Sequence, residues 1–280
     1  MKIQHILLAA SFLFMASCDE IDGPYGVKGT GGTDTTENVV RKVLIEDFTG
    51  HTCQACPNAH REATRLHNLL GEKVVTIAIH AAVWAIPNPP AASQYTYDFR
   101  NPVSTQLATD FDVLLAPFPK GMVNRMLDSS TYTTQILDWA NWEPRVNSWL
   151  ALPADAALEL TPGYNDATRG ITADVKIKMI NELTDPVSLA VYFTEDSIIQ
   201  WQKDGITDVP NYVHNHVLRG SLNGTYGESL GVQSAGTEIT RSYSGTLTPS
   251  DAVAEHVHLV AILMKETTKE IIQVEEVELK

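Results

Sequence analysis

Val43-Leu-Ile-Glu-Asp-Phe-Thr-Gly-His-Thr-Cys-Gln-Ala-Cys56 decides how the rest of the chain reads. Val43 to Phe48 is a short apolar strand, and Thr49-Gly-His-Thr52 is a turn leading to two cysteines at C-x-x-C spacing. From Pro57 to Leu70 the apolar residues Ala59, Ala63, Leu66 and Leu70 fall on one helical face. Gly71 stops that helix. Val74 to His80 is nearly continuous in apolar residues, the pattern of a strand buried on both faces. Strand, C-x-x-C at a helix start, helix and strand together predict the opening of a βαβ unit.

The spacing carries chemistry. Cys53 falls at the predicted helix N-terminus, where unpaired N–H groups and the helix dipole favour a thiolate. Cys56, one turn later, is less accessible and placed to attack a mixed disulfide, so the pair suits thiol–disulfide exchange. Asp47 lies on the preceding strand. Buried beneath the cysteines, it would take a proton from Cys56.

The chain has three cysteines in 280 residues, and the third has another use. Cys18 ends Phe14-Met-Ala-Ser-Cys18, behind Lys2 and an apolar core from Ile6 to Met15. That core is too short to span a bilayer, so residues 1–17 read as a signal peptide. Small residues followed by cysteine resemble a bacterial lipobox, in which the cysteine is lipidated and begins the mature chain. An ordinary signal cleaved nearby is the simpler alternative. Residues 18–38, rich in Gly, Thr and Asp, read as a flexible tether. Asp19 and Glu20 resemble the acidic stretch that sends lipoproteins to the cell surface; a solvated tether facing the periplasm is the plainer reading.

Hydrophobic content of 44% and charged content of 19% suit a globular chain with a real core. A net charge of -14 argues against nucleic acid or anionic lipid head groups as partners. Beyond His80, Ala81 to Arg100 is a Pro-rich insertion, and Asn101-Pro102 opens a helix to about Phe111. Gly121 to Arg125 is another strand. A long amphipathic helix follows, with Ile136, Trp139, Ala140, Val146 and Leu150 inward and Pro144 as a kink. After Pro153 the pattern changes to period-two strands separated by Gly, Asn, Asp and Pro. These are Ile171–Met179, Val187–Phe193, Arg241–Ser244, His256–Met264 and Ile271–Val277, the last two joined as a hairpin through Lys265–Glu270. They suit an antiparallel β-sandwich. The predicted organisation is therefore an α/β domain at 39–153 and an all-β domain at 154–280.

Asp47-Phe48, four residues, Cys53-Gln-Ala-Cys56, a helix, a strand and Pro119 before a strand resemble the thioredoxin family in order and spacing. The resemblance implies a thioredoxin-like fold for 39–153, with Cys53 as nucleophile, Cys56 as resolving thiol and Asp47 as proton acceptor. It also implies a cis-proline that guides the substrate backbone; Phe118-Pro119 matches best, and Pro117 is the alternative. Thr52 replaces the usual tryptophan and Ala55 the usual proline, which bears on the redox potential and the substrate surface. Over nearly its full length the chain resembles a narrower group, the outer-membrane-protein-28-like lipoproteins of Bacteroidetes. The motifs are the lipobox, Asp47-Phe-Thr-Gly50, Phe118-Pro-Lys-Gly-Met-Val-Asn-Arg125, Asn211-Tyr-Val-His-Asn-His-Val-Leu-Arg219 and Glu270-Ile-Ile-Gln-Val-Glu-Glu-Val277. That resemblance implies an outer-membrane address, on the cell surface or the periplasmic face.

Other chemistries have less support. His51, Cys53, Cys56 and His60 offer four possible metal ligands within one segment, whereas zinc usually draws its second pair from elsewhere. His214 with His216, and His256 with His258, share strand faces if extended, but such histidines more often bond within a sheet. No metal and no cofactor are expected. There is neither a nucleophile elbow nor a P-loop nor a dinucleotide fingerprint, so hydrolase and nucleotide readings fall away. His51, Trp84 and Phe118 are the candidates for contacting a partner near the thiols; Trp139, Trp142 and Trp149 read as helix packing. Two function classes remain. One is a thiol–disulfide oxidoreductase acting on cysteine-containing envelope proteins. The other is a non-catalytic surface lipoprotein that binds a protein or other ligand through its β-domain. In both, a lipid anchor is the link to the membrane.

Overall fold

Two apolar strands set side by side are the start of the structure, a computed structural model that describes residues 39–126 and 136–280. The leader, Cys18 and the tether lie outside the described residues. Strand β1 (Val43–Thr49) and strand β2 (Val74–His80) are buried along their whole length and pair in parallel, Val43 opposite Val74 and Thr49 opposite His80. Helix α1 (Cys56–Leu70) makes the crossover, burying Ala59, Ala63 and Leu66. Gly71 ends it with a positive φ of 60°, a conformation glycine adopts without steric cost. Helix α2 (Pro102–Asp110) follows, started by a capping box between Asn101 and Ser104. Strand β3 (Lys120–Val123) then runs antiparallel on the other side of β1. Helix α3 (Trp142–Leu150) closes this part.

The helices take opposite faces. Trp142, Val146 and Trp149 of α3 pack with α1 against Val43, Ile45 and Val123. On the other side, Leu107 and Ala108 of α2 pack in one core with Leu44, Phe48, Val75, Ile77 and Ile79. The long kinked helix predicted from Ile136 is instead shorter. Leu137 bridges to Gly121, residues 139–141 form a 3-10 turn, and Ala140 is exposed. Pro144 stands in the first turn of α3, where a missing N–H costs no bond, so it makes no kink.

From Ala156 onward the chain is strands: β4 (Ala156–Asn165), β5 (Gly170–Met179), β6 (Leu183–Glu195), β7 (Ile198–Asp204) and β8 (Thr207–His214). Then come β9 (Val217–Ser221), β10 (Glu228–Gln233), β11 (Glu238–Thr246), β12 (Val257–Lys265) and β13 (Ile271–Glu278). The fold is mostly β, largely antiparallel, with few helices. One sheet runs β13-β12-β6-β9-β2-β1-β3, with β10 added against β6; a second is β11-β5-β4; β7 and β8 form a separate hairpin. Alternate residues of β5 (Ile171, Ala173, Val175, Ile177, Met179) pack against Leu189, Val191, Leu259 and Ala261 to make the sandwich.

The division at Pro153 needs one correction. The segments on either side share a sheet, because β9 pairs with β6 and also, at Val217 opposite Ala78, with β2. Tyr192, Leu218, Val260 and Ile262 extend the same core as Leu44 and Ile77. A short strand bearing Arg219 and Gly220 has no readable alternation, and its burial comes from its two neighbours.

Candidate functional site

Cys53 and Cys56 are joined in a disulfide. The helix starts at Cys56, so Cys53 lies in the turn before it and not at its first residue; its N–H bonds to the Gly50 carbonyl at 3.0 Å. Both cysteines are buried, Cys53 at 2% exposure and Cys56 at 0%. The expected accessible first thiol is therefore covered. The cover is the β7–β8 hairpin. The Lys203 N–H donates to the His51 carbonyl and the Gly205 N–H to the Gln54 carbonyl, each at 2.8 Å. Gln202, wholly buried, donates through Nε2 to the Cys53 carbonyl at 3.1 Å.

A second wall comes from the Pro-rich insertion. The Thr52 N–H and hydroxyl both donate to the Trp84 carbonyl, at 3.1 and 2.9 Å. Gly50 permits that approach: a Cβ there would stand 2.4 Å from the Trp84 main chain. Trp84 itself keeps 37% exposure, and Phe118 is buried at 9%. Phe118–Pro119 is a cis peptide, and Pro119 is buried while Pro117 is exposed. His51, a candidate surface contact by sequence, is interior. Its Nε2 lies 3.2 Å from the Ile86 carbonyl, its ring is near Tyr95 and Phe99, and burial lowers its pKa. The turn that brings His51 next to the cysteines also folds it under the insertion.

Asp47 opens onto a different place. It is buried on β1, and burial raises its carboxyl pKa well above the usual range. Its near neighbour is His60 Nε2, 3.5 Å away. His60 shares that nitrogen with the Thr49 hydroxyl at 2.8 Å and meets the Tyr212 hydroxyl through Nδ1 at 2.8 Å. Burial pushes the His60 pKa down to about 4. Acid and base are thus both biased toward their neutral forms.

These two residues line a cavity of about 200 Å³ with Thr76, His80, Tyr212 and His214. His80 ends β2, stacked on Phe99 with ring centroids 4.2 Å apart, and lies 5.5 Å from the His214 ring. Sequence reasoning did not single out His80 or Thr76. A histidine closing an otherwise apolar buried strand was the available signal. The predicted shared strand faces do not form: β8 stops at His214, and His216 has φ 56° in the turn before β9, although both line this cavity. His256 sits exposed in a 3-10 turn, apart from His258 on β12. Among the described residues no group of three His, Cys, Asp or Glu is arranged to hold a metal ion.

A mostly β protein with a covered C-x-x-C defines the class, and comparison with known proteins supplies the family. Residues 105–280 match the family described as outer membrane protein Omp28. The chain belongs to the Omp28 family, and its address is that family's, the outer membrane. Among solved structures, HBP35 of Porphyromonas gingivalis is similar at 18% identity, covering 86% of this chain and 76% of its own, with a TM-score of 0.64. A protein of Agrobacterium tumefaciens is similar at 12% identity, covering 86% of this chain and 96% of its own, with a TM-score of 0.52. Both are likenesses of fold. A domain of the outer membrane lipoprotein Omp28 from Porphyromonas gingivalis is 25% identical over 45% of this chain and 89% of its own, with a TM-score of 0.34. No curated protein matches the chain in sequence.

Proposed function

We propose that the chain is a ligand-binding outer-membrane lipoprotein in which a thioredoxin-like unit serves as scaffold and Cys53–Cys56 is a closed structural disulfide. The observation that carries this reading is the cover over Cys53, at 2% exposure beneath main-chain bonds from the β7–β8 hairpin. Exchange requires in-line attack on an accessible sulfur. Support for the thioredoxin-like scaffold is the parallel β1-α1-β2 unit, with β3 antiparallel on β1, α1 and α3 on one face and α2 on the other. Lipidation at Cys18 supplies the membrane link. Cys18→Ser should move the protein out of the membrane fraction, and unchanged membrane association would refute the anchor.

The second reading is thiol–disulfide exchange through Cys53, with Cys56 resolving and Pro119 guiding the substrate backbone. It is favoured by a C-x-x-C at the start of α1 and by a buried Asp47 whose carboxyl is biased toward the acid form. One experiment separates the two. Cys56→Ser should trap mixed disulfides with envelope proteins if Cys53 is a nucleophile. On the scaffold reading the variant captures nothing, and the wild type fails to reduce insulin. A reproducibly trapped partner, lost in Cys53→Ser, would overturn the scaffold reading.

A further inference from the structure

The cavity beside Asp47 gathers buried polar atoms that lack hydrogen-bond partners. They are Asp47 Oδ1, Thr76 Oγ1, and both ring nitrogens of His80. Asp47, Thr76 and His80 are exposed by only 1%, 4% and 2%. His214, at 2% exposure, has the Gln200 and Trp201 main chain near its ring. A buried polar group left unpaired pays its desolvation cost with nothing in return. Several in one cavity therefore describe a place that is filled by something able to hydrogen-bond.

The charges narrow what that something is. Burial lowers the pKa of His60, His80 and His214 and raises that of Asp47, so each of these groups is biased toward its neutral form. Arg61, on the rim, is already paired with Asp204 at 3.0 Å. Among the described residues lining the cavity, an anion would find no Lys or Arg without a partner. A metal ion would find no convergent set of three ligands among the described residues. What the walls offer is balanced: each neutral imidazole brings one donor and one acceptor, and a threonine hydroxyl or carboxylic acid brings both. A hydroxyl group answers that pattern, because it too donates and accepts. At about 30 Å³ per water, 200 Å³ is room for six or seven waters, or for one six-membered sugar ring with its hydroxyls.

We propose that this cavity binds an uncharged, polyhydroxylated molecule of monosaccharide size. His80, Thr76 and Asp47 hydrogen-bond its hydroxyls, and Tyr212 and His214 form the wall toward the β7–β8 hairpin. This rests on the binding-lipoprotein reading above and gives that reading a site and a ligand class.

The test uses the full lipidated protein in lipid nanodiscs, free of sugar-based detergent. Saturation-transfer NMR and calorimetry are run with D-glucose, D-galactose, D-mannose, N-acetyl-D-glucosamine and myo-inositol, and with phosphate and zinc chloride as charged probes. At least one neutral probe should bind saturably below about 10 mM, weaken about tenfold or more in Thr76→Val, equal to 1.4 kcal/mol, and vanish in His80→Phe. Thr76→Val is close to isosteric and keeps the test sound if His80→Phe folds poorly. The proposal is overturned if no neutral probe saturates, if Thr76→Val binds like wild type, or if zinc alone binds and is lost with His80. A trapped disulfide partner from Cys56→Ser would instead count against the scaffold reading and leave the sugar result standing on its own.

Discussion

Glu46 and Asp47 are consecutive residues of one buried strand, and they meet opposite fates. Glu46 faces Arg125, which donates from Nε to Oε2 at 2.8 Å and from Nη2 to Oε1 at 2.6 Å, with both side chains essentially inaccessible. Burial works against the guanidinium charge, and the Glu46 carboxylate more than offsets it. Asp47 points to the other face of the sheet. There burial acts on its carboxyl without a strong cation to oppose it, and its pKa rises. In low dielectric a charge persists where a bonded partner is in place, and elsewhere the group gives up its charge. The first face is thereby finished. The second keeps hydrogen-bonding capacity for something that is not part of the chain.

The largest expected effect breaks the finished face. Arg125→Met leaves Glu46 buried and unpaired and should destabilise the protein by about 3–5 kcal/mol, read from urea unfolding. Adding Glu46→Leu to that variant should recover much of the loss, since a hydrophobic pair of similar volume carries no desolvation cost. Asp47→Asn, one residue away, should cost far less at pH 7. Equal losses at the two positions would dissolve the contrast between the faces.

The contrast also has a pH signature. His60 and His214 have folded pKa values of about 4 and about 3, below the unfolded value near 6.5. In that window the unfolded chain binds more protons, so stability rises with pH and is lost on acidification. The slope is about 1.4 kcal/mol per pH unit for each proton. Asp47 works the other way: its stabilising protonation is complete at low pH and is lost as pH rises toward its elevated folded pKa. Five histidines with lowered values (His51, His60, His80, His214 and His216) outnumber three carboxyls with raised ones (Asp47, Glu195 and Glu276), so the unfolding temperature should fall on acidification from about pH 6 to 5. His60→Gln should flatten the fall by about one proton. A variant without the disulfide should keep it, because those sulfurs do not titrate while bonded. An unchanged slope in His60→Gln would place the histidine titration elsewhere.

How much of this was legible beforehand follows from burial mode. The β1–α1–β2 unit and strands β5, β12 and β13 announce themselves by continuous or alternating apolar residues. Asp47 was legible as the buried acid of a C-x-x-C strand. The β7–β8 hairpin was not, because Gln200, Gln202, Lys203 and Asp204 give it no apolar rhythm; its place comes from bonds to residues 51–54. That omission is why Cys53 reads as exposed in sequence and is covered in the fold. The cavity was hidden for a related reason. His80 and His214 come from distant strands and meet through the β9 pairing with β2, which no local pattern encodes.

Gln202 is the test of that cover. It is wholly buried, and its amide bridges the Cys53 and Lys203 carbonyls at 3.1 and 3.0 Å. Gln202→Ala removes those bonds and leaves the carbonyls to find water, at a cost of about 1–3 kcal/mol. After mild reduction, Cys53 should then react faster with a maleimide than in wild type. Equal labelling rates would mean the hairpin bonds do not govern access.

The smallest effect is expected from the disulfide itself. Cys53 and Cys56 are three residues apart, so the bond closes a short loop. The chain-entropy estimate for such a loop is about 2 kcal/mol, near the low end for disulfides. Replacing both by serine should therefore lower stability by about 2 kcal/mol or less and leave the fold, measured by circular dichroism, intact. The loop has other holds that survive the change: Gly50 against Trp84, Thr52 on the Trp84 carbonyl, and the hairpin on residues 51–54. Ligand binding at the His80 cavity should persist in the double variant, because neither cysteine lines it. If the double variant instead unfolds or loses an envelope activity that wild type supports, the bond is more than a staple. The division between a closed thiol loop and an open binding face would then fail at its first side.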